Sequence, residues 1–119
     1  MDAEHAASPD ETVGALGQKA VLARVLAALH GSSRALVGPG DDAAVLSAPG
    51  GRVVVSTDTL VHGPDFRLAW SSGYGRGWKA AAVHLADIAA MGAAPTALFV
   101  ALALPDATSV SFVADLARG

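Results

Sequence analysis

The sequence contains no cysteine among its 119 residues. Disulfide bonds, thiolate zinc sites and cysteine nucleophiles are therefore excluded. Basic residues are also few, with 8 Lys and Arg against 11 Asp and Glu, and the formal net charge is -3. A nucleic-acid-binding surface usually carries clustered Lys and Arg side chains, so we expect no nucleic-acid partner.

Long apolar runs are missing as well. The most apolar stretch, residues 96–104, is far shorter than the roughly 20 residues that a membrane-spanning helix needs. Residues 1–11 are acidic and polar, without a hydrophobic signal region. We therefore expect a disordered tail over residues 1–11, no membrane partner and a cytoplasmic location. The remaining residues, 12–119, suit one small domain, because 52% of the sequence is hydrophobic.

The pattern along the chain alternates helices with extended segments. We predict three helices. The first runs from Thr12 to about residue 29, and its apolar face carries Leu22, Val25, Leu26 and Leu29. The second covers residues 78–91 with Gly92 just past its end, and the third starts at Ser109 with Val110, Val113 and Leu116 on one side. Strands are predicted over residues 35–37, 43–46, 52–56, 66–70 and 96–104, of which 52–56 would be central and 96–104 buried, with a flexible glycine loop over residues 71–77. This order predicts an α/β domain of the α+β type, in which helices pack on one face of a mixed β-sheet.

An acidic turn stands between two of the predicted strands. Gly40 allows a tight turn, and Asp41 and Asp42 follow it directly. Successive side chains of an extended chain point in opposite directions, so one carboxylate can brace the turn while the other faces a site.

Two further aspartates lie in apolar surroundings. Asp58 follows a valine run and is flanked by the hydroxyls of Ser56 and Thr57, while Asp87 lies within an alanine-rich helix. Carboxylates and hydroxyls are hard oxygen ligands that suit Mg²⁺, which often bridges protein carboxylates and substrate phosphates. Two plainer interpretations stay open: Asp87 pairs on the surface with His84, or the hydroxyl cluster bonds its own backbone.

The acidic inventory favours phosphoryl transfer, a reaction that depends on positioning and charge neutralisation. No Gly-x-x-x-x-Gly-Lys-Ser/Thr motif occurs, so a P-loop is excluded. His62 and Asp65, just past the hydroxyl cluster, are a second acid–base candidate, although two polar loop residues are the plainer interpretation.

Three blocks of the sequence resemble the thiamine-monophosphate kinases, in order and in spacing. They are residues 40–45, residues 55–61 and residues 78–95. The resemblance extends from about Thr12 to the end of the chain and corresponds to the N-terminal ATP- and Mg²⁺-binding domain of the aminoimidazole ribonucleotide synthetase-like superfamily. On this comparison we expect a truncated domain over residues 12–119, without the family's C-terminal domain.

The resemblance implies an ATP-dependent phosphorylation of thiamine monophosphate to thiamine diphosphate. It implies Mg²⁺ as cofactor, ATP as co-substrate and a homodimer. Carried over residue by residue, it makes metal ligands of Asp42, Ser56, Thr57, Asp58 and Asp87, and it places Asp41, Asp42, Asp58 and Asp87 at the nucleotide.

The sequence departs from the family pattern on the substrate side. The family usually has His at position 65, where it touches the thiamine substrate, and this chain has Asp65. The family's Asn-Leu-Ser-Asp reads His84-Leu85-Ala86-Asp87. These changes motivate two alternatives to the kinase: a non-catalytic dimerisation or regulatory module, and a superfamily relative that phosphorylates another acceptor.

Overall fold

A computed structural model describes residues 11–29, 35–38, 43–61 and 63–119. The described elements are α1 (Val13–Leu16), α2 (Gln18–Ala28), a 3-10 helix (Leu68–Trp70), α3 (Gly73–Ala90) and α4 (Val110–Arg118). Helix α4 packs between α2 and α3. The predicted tail lies outside these residues except for Glu11, whose carbonyl accepts a hydrogen bond of 2.9 Å from the Val110 amide.

The predicted mixed β-sheet is wrong for the described residues. Their β-pairing is limited to isolated bridges: Thr12 pairs with Ser109 and Val37 with Val45, both antiparallel, and Phe66 is a further bridge residue. The β-branched run 52–56 forms no strand and is exposed, with Val55 81% exposed, and residues 96–103 are exposed too. A valine-rich sequence favours an extended backbone, but a strand also needs a neighbour to pair its N–H and C=O groups, and these segments have none among the described residues.

The first predicted helix is interrupted. The Thr12 hydroxyl accepts a hydrogen bond from the Ala15 amide at 3.3 Å and caps α1 as expected. Gly17, with φ of 83°, then breaks the helix and α2 begins at Gln18. The predicted apolar face is wrong at Leu22 and Leu29, which are exposed, whereas Val25 packs against the core and Leu26 is partly buried. Val21 and Ala28 are buried instead. The break shifts the start of α2, and the position of α4 decides which side is covered.

The last helix agrees with its prediction. Ser109 caps α4, its hydroxyl accepting from the Phe112 amide at 3.3 Å. Val110 and Val113 are 2% and 1% exposed and join Val21 in the core. Five partly buried apolar residues pack around these three: Val13, Leu16, Val25, Leu104 and Phe112. The core is therefore built by helices, with Leu104 the contribution of the predicted strand 96–104.

Helix α3 begins five residues earlier than predicted, because the predicted glycine loop 71–77 contains its first turn. The Ser72 hydroxyl caps α3, accepting from the Gly75 amide at 3.1 Å. A Cβ at Gly73 would lie 2.6 Å from the Phe112 carbonyl oxygen, and one at Gly77 would lie 1.9 Å from that of Leu116. These glycines let the backbones of α3 and α4 touch, so their function is close packing rather than flexibility. The predicted strand 66–70 is likewise wrong, since residues 68–70 form the 3-10 helix.

The far end of α3 follows its local sequence. Met91 is the C-cap, and Gly92 follows with φ of 75°. Gly92 adopts this left-handed conformation without steric cost, and its amide closes the helix on the Ala89 carbonyl at 2.9 Å. Helix α3 thus carries His84 and Asp87 on its last two turns.

Candidate functional site

The predicted acidic turn is bordered by the Val37–Val45 bridge. The Val45 amide donates to the Val37 carbonyl at 2.9 Å, and the Leu36 amide donates to the Val45 carbonyl at 2.7 Å. This pairing joins the predicted segments 35–37 and 43–46; the sequence predicted the segments but not their pairing. Asp41 and Asp42 themselves lie outside the described residues, so their metal and nucleotide assignments stay predictions.

Asp58 lies on the exposed segment that follows the valine run. Its Oδ1 accepts a hydrogen bond from the Thr59 amide at 2.7 Å. The neighbouring Ser56 and Thr57 are exposed as well. The short local bond fixes the orientation of the carboxylate and leaves its remaining lone pairs accessible.

His84 feels the influence of both Asp58 and Asp87 on its pKa. Its Nδ1 donates to the Ala80 carbonyl one turn earlier in α3, at 2.6 Å. That carbonyl is the largest cause that holds the pKa of His84 above its ordinary value, and desolvation opposes it. The backbone carbonyl of Asp58 and the charges of Asp58 and Asp87 raise the pKa further. Two of the three predicted acidic blocks therefore influence one imidazole.

This arrangement falls short of a preformed metal centre. No group of three or more His, Asp or Glu side chains is placed to hold a metal ion in the part of the chain that the structure describes. The predicted set of Asp42, Ser56, Thr57, Asp58 and Asp87 nevertheless fits Mg²⁺ by its chemistry, because every ligand is a hard oxygen and Mg²⁺ commonly keeps several waters.

Asp65 braces a tight turn. Its Oδ2 accepts from the Val61 amide at 2.7 Å, and its own amide donates to the Val61 carbonyl at 3.1 Å. Gly63, with φ of 108°, lies inside the turn, and its amide donates to the Phe66 carbonyl at 2.8 Å. Asp65 therefore acts as a polar loop residue through one of its carboxylate oxygens. Its predicted contact with the substrate stays a prediction. His62 lies outside the described residues.

Two cationic side chains of α3, which the sequence did not single out, hold this turn and the segment that follows it. Lys79 Nζ donates to the Asp65 carbonyl at 2.7 Å. Arg76 is buried and donates from Nη2 to the carbonyls of Arg67 and Leu68. One sequence signal could have revealed Arg76: it is the one cation in a segment whose Gly73 and Gly77 are spaced by one helical turn. That spacing is informative only if residues 73–77 are helical.

A cavity of about 270 Å³ lies between the turn at residues 47–54 and the chain that leaves α3. Ile88, next to Asp87, forms part of its wall, and Arg52 is its charged lining residue. The described helices include none that is long and apolar enough to cross a membrane.

Comparison with known proteins places the chain in a family. Residues 40–119 match the family model described as AIR synthase related protein, N-terminal domain. A thiamine-monophosphate kinase of Mycobacterium tuberculosis (strain H37Rv) is 43% identical over 113 residues, which cover 95% of this chain and 34% of that protein. One from Corynebacterium glutamicum is 48% identical over 110 residues, or 91% of this chain and 32% of that protein.

A more distant relative shares a shorter segment. The thiamine-monophosphate kinase of Escherichia coli (strain K12) is 48% identical over 71 residues, or 59% of this chain and 22% of that protein. No solved structure matches the chain. The chain spans about a third of the length of the curated relatives that it matches over most of its residues. Because the family model covers more than half of it, the chain belongs to the family of AIR synthase related proteins, whose N-terminal domain it carries.

Proposed function

We propose that this chain supplies the Mg²⁺- and nucleotide-binding part of a thiamine-monophosphate kinase. The reaction transfers the terminal phosphoryl group of ATP to thiamine monophosphate and yields ADP and thiamine diphosphate. The observation that carries the proposal is the identity of 43% and 48%, over more than nine-tenths of this chain, to relatives named thiamine-monophosphate kinase. The charges of Asp58 and Asp87, which both raise the pKa of His84, support it.

The metal ligands in this proposal are those that the sequence predicted. Asp42, Ser56, Thr57, Asp58 and Asp87 hold Mg²⁺, and Asp41 lies beside them at the nucleotide. Bound Mg²⁺ supplies the positive charge that neutralises the phosphates. The chain orients the ligands: the Thr59 amide fixes the Asp58 carboxylate, and the last turns of α3 present Asp87.

The exposed extended segments support a homodimer. Val53 and Val55 are 72% and 81% exposed, and Phe99 is 75% exposed. Unpaired, apolar extended backbone is a template for pairing with another chain, so two copies that join these segments would cover it. The proposed location is the cytoplasm, where ATP is abundant.

The same exposed segments favour a second candidate function, a non-catalytic dimerisation or regulatory module of this family. Such a module needs the pairing surface and not the metal ligands. It predicts self-association of the purified chain without Mg²⁺-dependent nucleotide binding.

Titration calorimetry of the chain with ATP, with and without Mg²⁺, tests the kinase proposal. We expect binding that requires Mg²⁺ and that weakens about tenfold or more in Asp58→Asn and in Asp87→Asn, since each loses a ligand charge. Asp106→Asn is the matched control: it removes the same charge beside Gly14 in α1, away from the site. Unchanged binding in both site variants would reject the assigned ligands. Self-association without nucleotide binding would favour the second candidate, and a coupled assay for thiamine diphosphate tests turnover directly.

A further inference from the structure

Arg76 has an unusual environment for a cation. It is 8% exposed, and it is the buried charged residue of the described part of the chain. Burying a guanidinium removes it from water at considerable cost, which surrounding groups must offset. The contacts of Arg76 therefore indicate which segments of the chain its burial holds together.

Two aromatic rings and two carbonyls surround the guanidinium. Its Cζ lies 5.9 Å from the ring centroid of Phe66 and 5.2 Å from that of Phe112 in α4. Its Nη2 donates to the Arg67 carbonyl at 3.1 Å and to the Leu68 carbonyl. The Nε is buried without a hydrogen-bond partner. Arg76 thus joins α3 and α4 to the chain segment that enters the 3-10 helix.

Lys79 extends the same attachment. It lies three residues after Arg76 and therefore on the same side of α3. Its Nζ donates to the Asp65 carbonyl at 2.7 Å. Asp65 in turn accepts the Val61 amide through its carboxylate. Lys79 thus holds the Asp65 carbonyl of the turn, and Arg76 holds the carbonyls of Arg67 and Leu68 directly after it, while the turn holds the Asp65 carboxylate.

We propose that Arg76 is a positioning residue that sets the orientation of the Asp65 carboxylate on the side of the phosphate acceptor. This inference rests on the proposed function, in which Asp65 stands where the family contacts thiamine. An aspartate there suits the positively charged thiazolium ring of thiamine monophosphate. One bond to Val61 leaves the carboxylate with accepting capacity for such a ligand. Arg76 acts on the acceptor through this turn and does not touch it.

Amide hydrogen exchange measured by NMR tests the positioning step without any ligand. In Arg76→Met we expect the Val61 and Asp65 amides to exchange at least about tenfold faster, because the turn opens locally, while the Val113 amide in α4 keeps its protection. Arg67→Met is the matched control, since it removes a cation stacked 5.2 Å from the exposed Trp70 in the same segment. Unchanged exchange at Val61 and Asp65 overturns the proposal, and so does an equal loss of protection at Val113, which would make Arg76 a general core residue.

Arg76→Lys keeps the test decisive if the methionine variant does not fold. Lysine retains the charge but lacks the planar guanidinium that lies near the rings of Phe66 and Phe112 while it donates to both carbonyls. We expect it to weaken thiamine monophosphate binding about tenfold, measured by calorimetry with Mg²⁺ and a non-hydrolysable ATP analogue, and to leave analogue binding within about twofold. Equal weakening of both ligands, or of neither, overturns the proposal. If the unaltered chain binds no thiamine monophosphate, the proposed function fails, whereas the exchange rates still decide whether Arg76 positions the turn.

Discussion

The contact between α3 and α4 makes a quantitative prediction at Gly77. A Cβ at this position would lie 1.9 Å from the Leu116 carbonyl oxygen and 2.9 Å from the Leu116 carbonyl carbon. Ordinary contacts of this kind lie beyond about 3 Å, so α4 must move by about 1 Å to admit alanine. Overpacking of this kind costs about 1–3 kcal/mol, more than the roughly 1 kcal/mol by which alanine exceeds glycine in helix propensity.

Gly75 in the same helix provides the matched control. A Cβ there would first meet the Ser71 Cβ at 3.4 Å, an ordinary contact. Gly75→Ala should therefore stabilise the protein by up to about 1 kcal/mol. Gly77→Ala should destabilise it by about 1 kcal/mol, the overpacking cost less the gain in helix propensity, which corresponds to a fall in Tm of about 4 °C for a chain of this length.

Urea denaturation followed by far-ultraviolet circular dichroism measures both variants. Gly73→Ala, whose Cβ would lie 2.6 Å from the Phe112 carbonyl oxygen, should behave like Gly77→Ala. If Gly77→Ala and Gly75→Ala both stabilise the protein to the same degree, the two helices do not approach as described and the reasoning is refuted.

Two other predictions concern the core and the candidate site. Val113→Ala, at a 1% exposed position, should lower the free energy of unfolding by about 2 kcal/mol. Val55→Ala, at an 81% exposed position, should change it by less than about 0.5 kcal/mol in the same urea titration. The pKa of His84, measured by NMR, should lie above its ordinary value and should fall in Asp58→Asn, although the Ala80 carbonyl should still hold it raised. Because folding raises the pKa of His84, its contribution to the free energy of unfolding is complete at a pH below the ordinary pKa and is lost as the pH rises through the folded-state pKa. An unchanged pKa in Asp58→Asn would mean that Asp58 is distant from the imidazole.

The helices that local chemistry specifies were predictable. Ser109 and the spacing of Val110 and Val113 predicted α4, and the structure confirms both its start and its buried side. The alanine-rich end of α3 and its stop at Gly92 were predictable for the same reason. Caps, helix formers and a terminal glycine act within a few residues, so they can be recognised in the sequence.

The errors arose where a distant segment decides the outcome. Residues 71–77 suggested a loop because glycine is a poor helix former, yet α4 approaches so closely that only glycine fits at positions 73 and 77. Residues 52–56 suggested a central strand, but β-branched residues make a strand only where another strand pairs with them. The buried Arg76 escaped notice because its partners, Phe66 and Phe112, come from different parts of the chain.

The sequence by itself determined the family, the order of the helices and the identity of the acidic candidates, because motifs and caps are written in neighbouring residues. Tertiary structure alone decided that Asp58 acts on His84 of α3, and that Gly73 and Gly77 of α3 face α4. Both depend on how separate segments meet, and packing, rather than local propensity, controls that arrangement.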